Sequence, residues 1–443
     1  MTSGAAQTAL RTPAVLAAIL AALVLSAALL TVIVTTTPWH PLPRAAATSA
    51  EPADPGRDFS EEERRREDAY HREVRPPAYA GLIVGLALAA LLGLTPLGAR
   101  LIAAAAVPLG GGWAARVVMG TVVLSAVGRL VVIPLDARVE SVRRAYGLST
   151  RSWAGWAADL AKGWLLATGL TLLALLALYA LMRAVPRWWW LPAALGGASL
   201  VVTVSFAYPL VVEPVFNSFR PMSEGPLRTS LLRLAEDDEV PVREVLVADA
   251  SRRTTALNAY VSGFGATRRI VVYDTMLDRA SPDEVRLVVA HELAHAKRND
   301  VLHGTLTGAL GLAAGVCVIY VGLQLRPLLH RAGVDTAAEA DPRSIALVLL
   351  LVTVLSTLTG PLQMLVSRRV EARADVHALD LTGDPASFAA MQRRLSLSNL
   401  SDLDPSPVVF GLFASHPAAP QRIALARQWA RIHGVEDPPP LAP

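Results

Sequence analysis

Ser281-Pro282-Asp283-Glu284 leads through the apolar residues Val285, Leu287, Val288 and Val289 into His291-Glu292-Leu293-Ala294-His295, and the reading of this stretch decides what the chain is. Ser281 and Glu284 form a capping box with proline at the first helical position, so the spacing predicts a helix over about 282–298. On that helix His291 and His295 stand one turn apart on one face and can share a single tetrahedral ion. Glu292 then lies beside an open coordination position, where a carboxylate can take a proton from an attacking water and later pass it to a leaving amine. With nine histidines in 443 residues, an accidental match to this pattern is expected in roughly one chain in a hundred. The constellation is that of a zinc hydrolase, with one Zn2+ per chain as the expected cofactor.

A catalytic zinc site takes a third protein ligand. Glu371-Ala372-Arg373-Ala374-Asp375 places two carboxylates at i and i+4, so Glu371 can reach the metal while Asp375 orients a ligating imidazole. Read alone, the same segment is also a charged helix beside a membrane with Arg373 as an internal ion-pair partner. Asp300, Glu339, His303 and His377 are rival ligands. His303 opens an apolar span and His377 lies off the Glu371 face, which suits interfacial or structural roles better.

Composition says where such chemistry would happen. Apolar residues make up 53% of the chain and the mean hydropathy is +0.41, beyond an ordinary soluble protein. The excess falls in seven blocks of membrane-spanning length, at about 14–35, 78–98, 115–135, 163–183, 190–212, 303–325 and 344–366. The third carries Arg116 and Arg129 and ends at Pro134, so it is expected to line a protein interior or a watery cavity instead of facing lipid. The first could pass for a secretory signal, with Arg44-Ala45-Ala46-Ala47 after it, but its apolar core is long and six spans follow, so a retained helix is expected.

The organisation that follows is a membrane region over 1–212 with spans one to five, the first part of a peptidase domain over 213–302, spans six and seven over 303–366, and the rest of the domain with the tail over 367–443. Residues 51–76 read as a charged, solvated helical loop with a capping box of Ser60 and Glu63. The basic loop 136–162, the 213–302 segment and the tail from Arg368-Arg369 share one side and hold most of the lysine and arginine, which places them in the cytoplasm and the amino terminus outside. The net charge of +4 is thereby a matter of topology, and nothing points to nucleic acid. Cys317, the one cysteine, lies in a span, which excludes an intrachain disulfide and a thiolate zinc site. Val242 to Ala248, Ile270 to Tyr273 and Ala256 to Val261 read as strands. An edge strand beside a zinc site can hold a substrate backbone as an added strand, a role Asn258-Ala259-Tyr260 would suit as well as an ordinary core position.

Taken together, the chain resembles the integral-membrane CAAX prenyl proteases, zinc endopeptidases that trim prenylated tails, from about 120 to 425. The resemblance rests on Tyr146-Gly147-Leu148-Ser149, Glu213-Pro214-Val215-Phe216-Asn217, Asn258-Ala259-Tyr260, Arg269 through Thr275, His291 through His295, Glu371 through Asp375, and Ser415-His416-Pro417. It implies His291, His295 and Glu371 as zinc ligands, Glu292 as general base and Asp375 as the carboxylate behind a ligand. It further implies that Asn258 and Ala259 pair with the substrate backbone, and that His416 with Arg422 stabilises the oxyanion. The implied fold is mainly α, about seven transmembrane helices around an intramembrane chamber, joined to a small α+β zinc metallopeptidase domain.

The segment between the last two spans is short, the first 110 residues match weakly, and the tail ends in Pro438-Pro439-Pro440. Heavy use of alanine, leucine, arginine and proline points to a high-GC bacterial gene, so the peptidase chemistry transfers more safely than the prenylated substrate. The expected partners are the lipid bilayer and a peptide or protein substrate, prenylated or membrane-inserted. A broad quality-control protease for membrane proteins is the alternative, though such enzymes have fewer spans. A non-catalytic scaffold or lipopeptide-binding protein is the second alternative, and the full set of ligands and base speaks against it.

Overall fold

The computed structural model describes residues 12–43, 52–334 and 340–442. Seven of its helices are long and apolar enough to cross a membrane: Pro13–Thr36, Glu61–Leu94, Trp113–Ala145, Trp153–Ala184, Trp190–Phe216, Asp300–Leu323 and Pro342–Thr382. Each contains or overlaps one of the seven predicted spans. The residues after the first span, Arg44 to Ala47, lie outside the described residues.

Three of these helices extend well beyond their apolar cores. The capping box of Ser60 and Glu63 forms as expected, but the helix it starts runs 34 residues through Pro76 and Pro77, so the charged segment and the second span are one rod. The third span continues through Pro134 to Ala145 and does not end there, and Arg129 within it meets Asp136 at 3.0 Å. The last span belongs to the 38-residue helix Ile345–Thr382, which ends where Gly383 turns left-handed at φ 64°. Glu371 and Asp375 therefore ride on a membrane helix, and no break occurs at the predicted boundary near residue 366. Hydropathy marks where side chains turn polar, whereas backbone hydrogen bonding carries the helix on.

Beyond the membrane helices sits a four-stranded sheet in the order β1-β2-β4-β3, with β1 Phe219–Pro221, β2 Glu244–Ala248, β3 Ala259–Ser262 and β4 Arg269–Tyr273. β2 and β4 run parallel, and β1 and β3 are antiparallel to their neighbours. β2 and β4 fall where valine and isoleucine cluster, and the third expected strand forms as β3, although it begins at Ala259 and not Ala256. The short β1, with a proline in it, carries no such signal and forms through pairing with β2. At the β3–β4 turn, Gly263 adopts φ 93°, and a Cβ there would meet the carbonyl oxygen of Thr267 at 2.5 Å.

The molecule has two large apolar cores. One lies among the membrane helices and includes Cys317, Tyr179, Trp189 and Leu347. The other packs the sheet, through Val245, Val247, Ile270 and Val272, against Val285, Val289 and Leu293 of the helix Pro282–Lys297, and closes with Leu379, Phe388 and Trp429. This second core draws on both polar stretches, before and after the last two spans, and so fixes the two histidines of one against the carboxylates of the other. The result is a mainly α membrane protein with a small α+β domain.

Candidate metal centre

The histidine helix spans Pro282–Lys297, with the capping box Ser281–Glu284 and Pro282 at its first turn, as the sequence requires. His291 Nε2 and His295 Nε2 lie 3.3 Å apart. Glu371, arriving on the last membrane helix, places Oε2 3.1 Å from His291 Nε2 and Oε1 3.6 Å from His295 Nε2. One donor atom from each of the three side chains falls within 4.8 Å of the others, so they can hold a single ion.

Each imidazole is held from behind. His291 Nδ1 lies 3.0 Å from Asp375 Oδ1, and Asp375, fully buried, also accepts from both Nε and Nη2 of Arg422. His295 Nδ1 lies 2.9 Å from Asp300 Oδ2, and Asp300 is paired with Arg373. Both rings thus sit in a histidine–carboxylate–arginine relay that turns Nε2 toward the shared point and fixes the tautomer. Asp300, a rival ligand in the sequence, faces the outer nitrogen of His295; the spacing of five residues was its only signal. Arg373 is an ion-pair partner, as the plain reading of its segment holds, and its partner Asp300 is the carboxylate behind His295.

His377 bonds to Asp238, which Lys297 also contacts at 2.9 Å, a structural cluster away from the metal face. His303 stands in the first turn of the span Asp300–Leu323. Glu339 lies outside the described residues.

The electrostatics suit a cation. Burial alone would lower the His291 pKa, but hydrogen bonds to Asp375 and Glu371 more than reverse this and raise it to about 10. The field that draws a proton there is the field a divalent metal would take. Burial pushes the Glu292 carboxyl above its ordinary value, partly opposed by the neighbouring histidines. A carboxylate so raised is a stronger base than one in water.

His291, Glu292, His416 and Arg422 all line one cleft of about 540 Å3, and Asn258 lies on its wall. His416 Nε2 stands 3.2 Å from Glu371 Oε2, while Ser415 Oγ holds its Nδ1 at 2.8 Å. β3 is an edge strand, and Asn258, the residue just before it, lines this cleft. The Asn258 carbonyl accepts from the Tyr273 amide at 3.0 Å and so faces β4. By the alternation of an antiparallel pair, the backbone of Ala259 faces the open edge.

Comparison with known proteins agrees with this arrangement. Residues 57–218 match the CAAX prenyl protease N-terminal family, described by five membrane helices, and residues 221–430 match peptidase family M48. An uncharacterized metalloprotease of Bacillus subtilis, YhfN, is 32% identical over 307 residues, covering 69% of this chain and 72% of that one. The chain belongs to the CAAX prenyl protease family of M48 peptidases. CAAX prenyl protease 1 homolog of Oryza sativa is 31% identical over 51% of this chain, and CAAX prenyl protease 1 of Saccharomyces cerevisiae is 26% identical over 48%. The alignments span about half the length of those two relatives, 53% and 50%. The fold extends further than the sequence likeness: the crystal structure of S. mikatae Ste24p superimposes with a TM-score of 0.74 at 20% identity, over 92% of this chain and 98% of that one. As a family member with this fold, the protein is a multi-pass membrane metalloendopeptidase.

Proposed function

We propose that the resident metal is zinc and that the enzyme hydrolyses peptide bonds near the carboxyl end of lipidated, CAAX-like or membrane-inserted chains, at the cytoplasmic face of a bacterial plasma membrane. The observation that supports the metal is the convergence of His291 Nε2, His295 Nε2 and the Glu371 carboxylate, next to a cleft that His291 and Glu292 line. Two imidazole nitrogens and one carboxylate are a donor set that fits catalytic zinc and leaves a coordination position open. His291, His295 and Glu371 would hold the ion. When bound, it supplies Lewis acidity that acidifies water and polarises a carbonyl.

The rest of the chemistry falls to the chain. Glu292 takes a proton from the attacking water and hands it to the leaving amine. His416, with the Arg422 guanidinium on the same cleft, donates toward the oxygen that becomes negative in the tetrahedral state. Asp375 and Asp300 keep the two imidazoles aimed. The backbone of Ala259 pairs with the substrate main chain, and Asn258 beside it borders the bound segment, so registration against the metal is independent of substrate side chains.

The test is detergent-purified protein, wild type beside Glu292→Gln, on matched farnesylated and unfarnesylated CAAX peptides. The variant is expected to keep its zinc and lose about 10²- to 10⁴-fold in kcat. Full turnover by the variant would refute the role of Glu292. Cleavage confined to the lipidated peptide supports the prenyl-dependent reading, and equal cleavage of both favours quality control of membrane proteins.

A further inference from the structure

A second cavity, of about 560 Å3, shares no lining residue with the metal cleft. Its lining combines the guanidinium groups of Arg129, Arg151 and Arg253 and the Asp159 carboxylate with Leu160, Gly163 and Ala167 of the helix Trp153–Ala184. Arg129, Gly163 and Ala167 fall within the third and fourth predicted spans, whereas Arg151 and Arg253 come from the polar loops. The cavity therefore straddles the boundary between membrane and water.

Its donors are incompletely used. The Nε atoms of Arg129, Arg151 and Arg253 and the Nε1 of Trp164, all in the lining, are buried and have no hydrogen-bond partner among the described residues. Such groups are costly to leave unmet. Nor is the charge balanced. Arg129 pairs with Asp136, Arg144 and Arg151 with Glu140, and Arg151 also lies 3.7 Å from Asp159, while among the described residues the Arg253 guanidinium meets the side-chain carbonyl of Asn217 and no carboxylate. Four guanidinium groups against three carboxylates leave one positive charge. Below them Gly163 leaves room, since a Cβ there would meet nothing within 4 Å.

We propose that this cavity binds an anionic phospholipid, its phosphodiester among Arg129, Arg151, Arg253 and Trp164 and an acyl chain along Leu160, Gly163 and Ala167. One net positive charge matches the single charge of a phosphodiester, and planar guanidinium groups suit phosphate oxygens. A free phosphate would satisfy the donors but leave the apolar groove unused. A peptide carboxylate would do the same.

The test uses the delipidated full chain in detergent, titrated with dioleoylphosphatidylglycerol, dioleoylphosphatidylcholine or inorganic phosphate, with thermal unfolding and native mass spectrometry as readouts. Phosphatidylglycerol is expected to raise Tm and to remain bound at one per chain, whereas phosphatidylcholine and phosphate do neither. Arg253→Gln should weaken phosphatidylglycerol binding about tenfold, as loss of a charged hydrogen-bond donor does. Gly163→Leu, which fills the groove and favours the helix, should weaken it while leaving lipid-free Tm intact. Equal effects of both phospholipids, or stabilisation by phosphate alone that depends on Arg253, would overturn the proposal. So would unchanged lipid binding in both variants, including the case where Arg253→Gln instead raises KM for peptides with a free carboxylate but not for their amides.

Discussion

The two histidine arms of the metal centre use the same chemistry and are built in opposite ways. On one arm Asp300 lies five residues beyond His295, at the start of the next helix, and its partner Arg373 comes from the last membrane helix; both side chains keep some exposure. On the other, His291 is backed by Asp375, 84 residues later and completely buried, and Asp375 is neutralised by Arg422 from the C-terminal helix Ala419–His433. The first arm is chiefly a local turn with an outside partner. The second is a tertiary contact among three helices, and it brings the cleft residue Arg422 into place as it neutralises the carboxylate. A buried charge pair that loses one member leaves the other stranded, whereas a partly exposed one can recruit water. The arms should therefore fail differently.

The largest effect is expected where the arms meet. Glu371→Ala removes the carboxylate common to both, so metal content measured by plasma mass spectrometry should fall far below one per chain and peptide cleavage with it. Unchanged metal content would move the third ligand elsewhere. Next comes Asp375→Ala, which strands Arg422 and should cost about 3–5 kcal/mol of stability, read as a fall in Tm of the detergent-solubilised protein. Asp300→Ala should do less to the fold but lower metal affinity by about 10- to 100-fold, measured by competition with a zinc chelator. A loss of stability equal to that of Asp375→Ala would erase the distinction between the arms. The smallest effect should be Arg373→Met, about 1 kcal/mol, and a double-mutant cycle should give weaker coupling for Asp300 with Arg373 than for Asp375 with Arg422.

Much of the centre was legible because helical spacing is local. His291, Glu292 and His295 declare themselves through one turn of helix, and the capping box that starts the helix is a four-residue pattern. Glu371 and Asp375 were visible for the same reason, as an i and i+4 pair. Asp300 was visible only as a rival to Glu371, because sequence spacing says that a carboxylate is near and not which imidazole nitrogen it faces. Of the cavity lined by Arg129, Arg151 and Arg253 the sequence signalled only Arg129, a charge in an apolar span, since the other residues come from distant segments. β1 was silent too: three residues with a proline pair only because β2 offers an edge.

By itself the sequence determined the class of chemistry and the solvent: a helix with two histidines one turn apart and a glutamate between them, a downstream carboxylate pair, and seven apolar segments of membrane-spanning length. These follow from periodicity and hydropathy, which depend on neighbours along the chain. The tertiary structure alone decided that the last span and the carboxylate helix are one rod, that Asp375 and Asp300 divide the histidines between them, and that Arg422 reaches the cleft from the C-terminal helix. Those outcomes depend on how distant helices pack around the second core. Side-chain directions across such contacts are fixed by three-dimensional packing and by the need to pair buried charge, and no spacing along the chain encodes them.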